Sequence, residues 1–100
     1  MKKKTTVIIV AKIRPDGKLE LNHYLSEMNK HYEKNNVTLL NKFSIDEMIV
    51  GEERPDIIAI MEFPDNSFNK IFKSKEYNLL LPYREKAFEK LEIFISKENK

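Results

Sequence analysis

The stretch that decides the fold runs from Gly51 to Leu91. Its informative pieces are GEERPDIIAIMEFP at 51–64, SKEY at 74–77, LPYR at 81–84 and AFEKL at 87–91. The aliphatic run 57–63 lies between two prolines and carries a carboxylate, Glu62, near its end. Because proline cannot donate a backbone hydrogen bond to a sheet, a strand begins after the first proline and ends at the second. The stretch therefore predicts a buried strand followed by turn and helix signals.

Two further strands and a helix are predicted on the N-terminal side. Thr5–Ile13 is rich in β-branched residues and apolar in both of its alternating sets, which predicts a strand covered on both faces. A helix follows, because an apolar stripe recurs at helical spacing: Leu21, Tyr24, Leu25, Met28 and Tyr32. The pair Asn35-Asn36 ends the helix. Val37–Ile45 alternates as a second strand, and residues 48–51 are predicted to extend it past a bulge.

On the C-terminal side, short helical segments lead to a last strand. Asp65 is predicted to cap a short helix, and Ser74 to cap a further turn. Pro82 is expected to interrupt the helix because it lacks the N–H that the helix requires, so 83–89 forms a last turn or two. Alternating apolar residues over 91–95 predict the final strand.

The element order is β-α-β-β-α-β, which predicts an α+β fold of the ferredoxin-like kind. In that fold an antiparallel sheet carries its helices on one face. We expect one domain over residues 1–100, with polar tails at 1–4 and 97–100. Because the strands are apolar on both faces and one face has no helices, we expect a homodimer that packs sheet face against sheet face.

Composition excludes several classes of partner. The chain has 18 basic and 16 acidic residues, a net charge of +2 and no cysteine. This balance does not favour nucleic acid or an anionic membrane as a partner, and the absence of cysteine excludes disulfides and thiolate chemistry. We see neither a signal peptide nor a run of membrane-spanning length, so we expect a cytoplasmic protein.

Cofactor and metal motifs are missing as well. The only glycines, Gly17 and Gly51, do not form a phosphate loop. His23 and His31 are eight residues apart, too far along a helix to share a metal ion directly. We therefore expect no cofactor and no metal. The strand 57–61 is aliphatic, whereas RNA-binding modules of this fold expose aromatic residues there.

Four short motifs resemble one protein family. They are Gly51 with Pro55, Glu62-Phe63-Pro64, Ser74-x-Glu76-Tyr77 and Pro82-x-Arg84. Together they are similar to the domain-of-unknown-function 1330 (DUF1330) family of the dimeric α/β-barrel superfamily. The resemblance implies a ferredoxin-like dimer. It does not select an activity, because the superfamily includes monooxygenases, haem-degrading enzymes, isomerases and decarboxylases.

Glu62 and Arg84 are the sharpest site candidates. Glu62 shares a strand face with Ile58 and Ile60, so burial there would favour its neutral form and suit it to general acid or base catalysis. Arg84 offers a planar fork for a substrate carboxylate. The structural alternative is that the two side chains pair with each other, or that Glu62 caps the next helix.

Tyr77 and Ser74 complete the candidate site. The Tyr77 hydroxyl is suited to holding a ligand, although such a ring often packs in a core instead. Ser74 is a helix cap before it is a nucleophile, since no histidine base follows it. We expect the protein to bind a small organic molecule between sheet and helices, with cofactor-free catalysis as one use of that site. The alternatives are a non-catalytic binding or regulatory dimer with a structural Glu62–Arg84 pair, and an interaction protein without a pocket.

Overall fold

The computed structural model describes residues 4–65 and 67–97. Its elements are, in chain order, β1 (Lys4–Ile13), α1 (Lys18–Lys34), β2 (Thr38–Ser44), β3 (Ile57–Pro64), α2 (Ser67–Phe72), α3 (Lys75–Ala87) and β4 (Phe88–Ser96). The strands form one sheet in the order β2-β3-β1-β4, and every neighbouring pair is antiparallel. This arrangement confirms the predicted ferredoxin-like fold.

The odd-numbered residues of the two central strands face the helices. Val7 and Ala11 of β1 and Met61 and Phe63 of β3 are buried in the core. The helices complete that core with a set of large side chains: Tyr24, Met28, Ile71, Tyr77 and Leu80. Because side chains alternate along a strand, the even-numbered residues of β1 and β3 lie on the opposite face, which we call the open face.

The open face has an apolar centre and polar ends. Its central residues are the aliphatic side chains Ile8, Val10, Ile58 and Ile60, which pair across β1 and β3. Phe43 and Phe94, on the outer strands, are 49% and 48% exposed. Charged residues lie beyond them at the two ends of the strands. No helix packs on this face among the described residues.

Gly17 permits a close approach between α1 and the end of α3. A Cβ atom at this position would lie 2.0 Å from the carbonyl oxygen of Lys86. Any side chain here would therefore force the two backbones apart. The contact sits at the start of α1, and the Arg14 N–H donates to the Ala87 carbonyl beside it. The two helices are thus fixed to each other at this end.

The helix around Pro82 differs from its prediction. The interruption expected there was wrong, because α3 continues from Lys75 to Ala87 with Pro82 inside it. Buried residues lie on both sides of the proline, at Leu80 and Ala87, so packing holds the helix together across the lost hydrogen bond. The cap by Ser74 is confirmed, since its side chain accepts a hydrogen bond from the Tyr77 N–H.

Three predicted boundaries also change. β2 ends at Ser44, so residues 48–51 do not extend it, and the register shift lies earlier, between Leu39 and Asn41. Asp65 lies in the turn before α2 with a φ of 47°, rather than capping that helix. Lys4, predicted to be part of the N-terminal tail, is the first residue of β1. Of the remaining tail residues, Lys97 is exposed and follows β4, whereas 1–3 and 98–100 fall outside the described residues. No helix of the described chain is long and apolar enough to cross a membrane.

Candidate functional site

A cleft opens between α2, α3 and the helix-facing side of β1 and β4. Its volume is about 490 Å³, within the range of small-molecule sites. We call it the α3 cleft. It is lined by five apolar side chains and four polar ones: Val7, Phe68, Phe72, Ile93 and Ile95, with Asn69, Lys73, Tyr77 and Arg84. Two of the predicted site residues, Tyr77 and Arg84, therefore meet in one cavity.

Ser74 positions Tyr77 at the start of α3. The Ser74 hydroxyl donates to the Ile71 carbonyl at 2.7 Å and accepts from the Tyr77 N–H at 3.1 Å. This double hydrogen bond joins the end of α2 to the first turn of α3 and satisfies one of the free N–H groups of that turn. Ser74 itself does not line the cleft. Its contribution to the site is to hold the backbone that carries Tyr77.

Arg84 lies two helical turns after Tyr77 on the same side of α3. Residues seven apart share a helix face, which brings the guanidinium over the phenol ring. Arg84 Nη1 donates to the Tyr77 hydroxyl at 3.1 Å, and its Cζ lies 5.8 Å from the ring centroid. The guanidinium is thus held in place by a hydrogen bond and a cation–π contact to one side chain.

The Tyr77 hydroxyl also hydrogen-bonds the hydroxyl of Tyr24 on α1, at 2.9 Å. Burial, and then the hydrogen bond to Tyr77, raises the pKa of Tyr24 well above its usual value. Burial, and then the nearby Tyr77, raises the pKa of Tyr32 as well. Tyr24 and Tyr32 are therefore neutral phenols at physiological pH. The sequence offered Tyr24 and Tyr32 only as members of an apolar stripe, although the polar tip of a buried tyrosine calls for a partner.

The α3 cleft has a positive electrostatic character. Neither Arg84 nor Lys73 forms an ion pair within the described chain. The other two arginines each lie near an aspartate. Arg14 is 3.5 Å from Asp16, and Arg54 is 3.8 Å from Asp56. No acidic side chain of residues 4–65 or 67–97 lines the cleft. Two cations therefore line the cleft without an acidic side chain of the described residues beside them.

Glu62 lies away from this cleft, on the open face of the sheet. Its neighbours in β3, Met61 and Phe63, are buried under the helices, so alternation directs Glu62 to the other side. Its carboxylate is 3.4 Å from Lys4 Nζ, and its side chain is 30% exposed. The structural alternative in which Glu62 pairs with Arg84 does not hold, because Glu62 lies on the open face beside Lys4 and Arg84 lies on the helix side of the sheet beside Tyr77.

A second cavity lies under α1. Its volume is about 160 Å³, and its walls are mostly aliphatic and aromatic, with Met28, Met61 and Leu91 among them. Tyr24 and Tyr32 also line this cavity. Since Tyr24 bonds Tyr77, one hydrogen bond connects the wall of this cavity with the wall of the α3 cleft. The α3 cleft has two cationic side chains together with the hydrogen-bonded Tyr77 on its walls, whereas Lys42 is the one charged residue of the described chain that lines the second cavity, so we take the α3 cleft as the candidate site.

The histidines lie elsewhere, in an outer groove between α1 and α3. The His23 ring packs on the Tyr83 ring with centroids 4.2 Å apart, and His31 lines the same groove. Within the described residues, no three side chains of His, Asp or Glu come close enough to hold a metal ion.

Solved structures share this fold at low sequence identity. A protein of unknown function from Rhodopseudomonas palustris has a TM-score of 0.84 at 18% identity, covering 97% of this chain and 83% of that one. A dimeric protein of unknown function with a ferredoxin-like fold, from Bacteroides fragilis, has a TM-score of 0.57 at 14% identity, covering 95% and 96%. SnoaB, a cofactor-independent oxygenase from Streptomyces nogalater, has a TM-score of 0.58 at 7% identity, covering 96% and 95%.

These likenesses show the fold and no activity. No family model matches the chain, and no curated protein matches it in sequence. The fold is common to proteins of unknown function and to an oxygenase, so the function has to be argued from the side chains of the cleft.

Proposed function

We propose that the protein binds a small organic molecule in the α3 cleft. The observation that carries this proposal is the meeting of Tyr77 and Arg84 at the wall of a 490 Å³ space whose other walls are largely apolar. A concave, mostly apolar surface with a few converging polar groups is the usual form of a small-molecule site. Cofactor-free catalysis by Glu62 is not part of the proposal, because Glu62 faces away from the cleft.

A cleft-filling variant tests the proposal. Ile95 lines the cleft and is 60% exposed, so Ile95→Trp places an indole in the cleft without disturbing the core. The matched control is Leu79→Trp, on the outer surface of α3, where the side chain is 74% exposed. Cyclohexanecarboxylate, cyclohexanol and cyclohexylamine are added separately, and the thermal denaturation midpoint is measured.

Binding to the native state raises the denaturation midpoint, because the free energy of unfolding increases with the logarithm of the ligand concentration divided by Kd. We expect at least one of the three compounds to raise it for the unmodified protein and for Leu79→Trp, but not for Ile95→Trp. Equal stabilisation of all three proteins would place the binding site outside the cleft and refute the proposal. Stabilisation of none of them by any of the compounds would also count against it.

We further propose that two copies of the chain pair through the open face. The apolar centre formed by Ile8, Val10, Ile58 and Ile60 has polar ends, which is the common anatomy of a stable interface. A structural relative is described as dimeric. Sedimentation at micromolar concentration should give twice the 11.9 kDa of one chain, and Ile60→Asp should abolish the dimer. A single-chain mass for the unmodified protein would refute this pairing.

The remaining parts of the sequence-based hypothesis fit the same proposal. We propose that residues 1–100 form a single domain. We also propose that the protein lies in the cytoplasm, a reducing compartment that suits a chain without cysteine. The resemblance to the DUF1330 family rests on motifs that include Tyr77 and Arg84, and both residues line the cleft. We therefore propose that the two motifs which carry Tyr77 and Arg84 contribute to a ligand site in this chain.

A further inference from the structure

We infer that the α3 cleft selects an apolar monocarboxylate, with its carboxylate on Arg84 and Lys73 and its hydrocarbon body against the apolar walls. This inference rests on the proposed function of the cleft. It adds the chemical class of the ligand and the side chains, Arg84 and Lys73, that bind its negative charge.

Arg84 lacks a counter-charge among the described residues. This guanidinium is half-buried beside the aromatic ring of Tyr77, yet no carboxylate of the described chain lies within ion-pair distance. Removing a cation from water without a partner is unfavourable, and the penalty falls when an anion pairs with it. An anionic ligand would supply the charge that Asp16 and Asp56 supply to the other two arginines.

The guanidinium of Arg84 also has an edge that its bond to Tyr77 does not use. Arg84 uses Nη1 for its bond to the Tyr77 hydroxyl, which fixes the plane of the group. A guanidinium has five N–H donors in a rigid fork, so an edge remains that can bind both oxygens of one carboxylate. Lys73 adds a second positive charge at the same cleft, and Asn69 adds an amide donor.

The other walls of the cleft are mostly apolar. Phe68 and Phe72 come from α2, and Ile93 and Ile95 come from β4. These walls favour burial of a hydrocarbon body, at about 25 cal/mol for each Å² of apolar surface removed from water. Sugar phosphates and nucleotides do not fit this description, because their bodies are polar and the cleft has no glycine-rich loop to hold a phosphate.

Charge and shape can be separated with two isosteric probes. Cyclohexanecarboxylate and cyclohexanecarboxamide have the same ring and nearly the same volume, but only the first is charged at pH 7. We expect isothermal titration calorimetry to show the carboxylate binding at least about tenfold more tightly than the amide, as charge-assisted hydrogen bonds predict. Inorganic phosphate, an anion without a hydrocarbon body, should bind more weakly than the carboxylate.

Substitutions of Arg84 and Lys73 test which side chains cause the preference for the carboxylate over the amide. Arg84→Gln should remove most of the preference for the carboxylate over the amide, whereas Arg14→Gln, in an exposed turn with its own aspartate, should retain it. Lys73→Gln provides an independent measurement, because Lys73 is exposed and its loss should leave folding intact. We expect Lys73→Gln to weaken carboxylate binding severalfold and to leave amide binding unchanged.

The results of these experiments distinguish a failure of the carboxylate inference from a failure of the proposed small-molecule binding in the α3 cleft. Equal affinity for acid and amide would overturn the carboxylate inference and leave the cleft as a binding site. A preference for the acid that survives both Arg84→Gln and Lys73→Gln would also overturn the inference. Carboxylate binding that survives Ile95→Trp would overturn the proposed function as well, since the ligand would then lie outside the cleft.

Discussion

Removing the hydroxyl groups of Tyr24 and Tyr77 tests the polar wall of the cleft. The two oxygens are 2.9 Å apart, and each residue is only 4% exposed. A hydrogen bond contributes about 1 kcal/mol net, but a buried group left without a partner costs about 1–3 kcal/mol. Tyr24→Phe leaves the Tyr77 hydroxyl bonded to Arg84, so we expect a loss of about 1 kcal/mol.

Tyr77→Phe should cost more than Tyr24→Phe. It leaves the Tyr24 hydroxyl buried without its partner, which predicts a loss of about 2–3 kcal/mol. In the double variant that stranded hydroxyl is gone, so the two losses should not add: the double variant should be about 1 kcal/mol more stable than their sum predicts. For a domain of this size 1 kcal/mol corresponds to about 4–8 °C in Tm.

The assay is thermal and urea denaturation followed by circular dichroism, at one fixed protein concentration because pairing of the chains would make Tm depend on it. Tyr83→Phe is the matched control, since that ring lies on the outer surface against His23 and its change should be nearly neutral. If the effects of Tyr24→Phe and Tyr77→Phe add within about 0.5 kcal/mol, the two hydroxyls are not coupled and the hydrogen bond between them does not contribute to stability. A loss at Tyr83 as large as at Tyr24 would also refute the predicted contribution of that hydrogen bond.

Three further predictions concern the proline inside α3, the separation of Glu62 from Arg84, and the buried tyrosines. Pro82→Ala should stabilise the protein, by up to about 3 kcal/mol, because it restores an N–H inside α3; a lower Tm would contradict this. Glu62→Gln and Arg84→Met should have additive effects on the free energy of unfolding, since the sheet separates the two residues; coupling above about 0.5 kcal/mol would show otherwise. Because burial raises the pKa of both Tyr24 and Tyr32, the unfolded chain loses these protons first as pH rises. Stability should therefore be constant below about pH 10, with respect to these groups, and fall above it by about 1.4 kcal/mol per pH unit for each tyrosine; Tyr32→Phe should reduce that slope.

Much of the fold was predictable because local signals and packing agree. The alternating strands, the apolar stripe of α1 and the cap at Ser74 all point to the same arrangement. Pro82 is where they disagree. Local propensity predicts a break there, but Leu80 and Ala87 are buried on either side, and their packing outweighs one missing hydrogen bond.

The site was predictable in part, for a physical reason that concerns β3. Tyr77 and Arg84 were identified from the chemistry of their side chains and from the family-like motifs that carry them, although Pro82 was expected to separate them into two helical segments. Glu62 was assigned to the same site because both faces of β3 are apolar, so the sequence does not tell which face the helices cover. The residues that complete the cleft, Asn69 on α2 and Lys73 just after it, carry no signal of their own, since polar residues on or beside a short helix are ordinarily solvated.

The most direct measurement of the central claim is a nuclear magnetic resonance titration of the protein with ¹³C-labelled isoleucine methyl groups. Ile93 and Ile95 line the α3 cleft, whereas Ile8 and Ile60 lie on the open face and serve as internal controls. On addition of cyclohexanecarboxylate, we expect saturable shifts of the Ile93 and Ile95 methyl signals, with Ile8 and Ile60 unchanged. Saturable shifts confined to Ile8 and Ile60, or no shift at Ile93 and Ile95, would contradict a ligand site in the cleft.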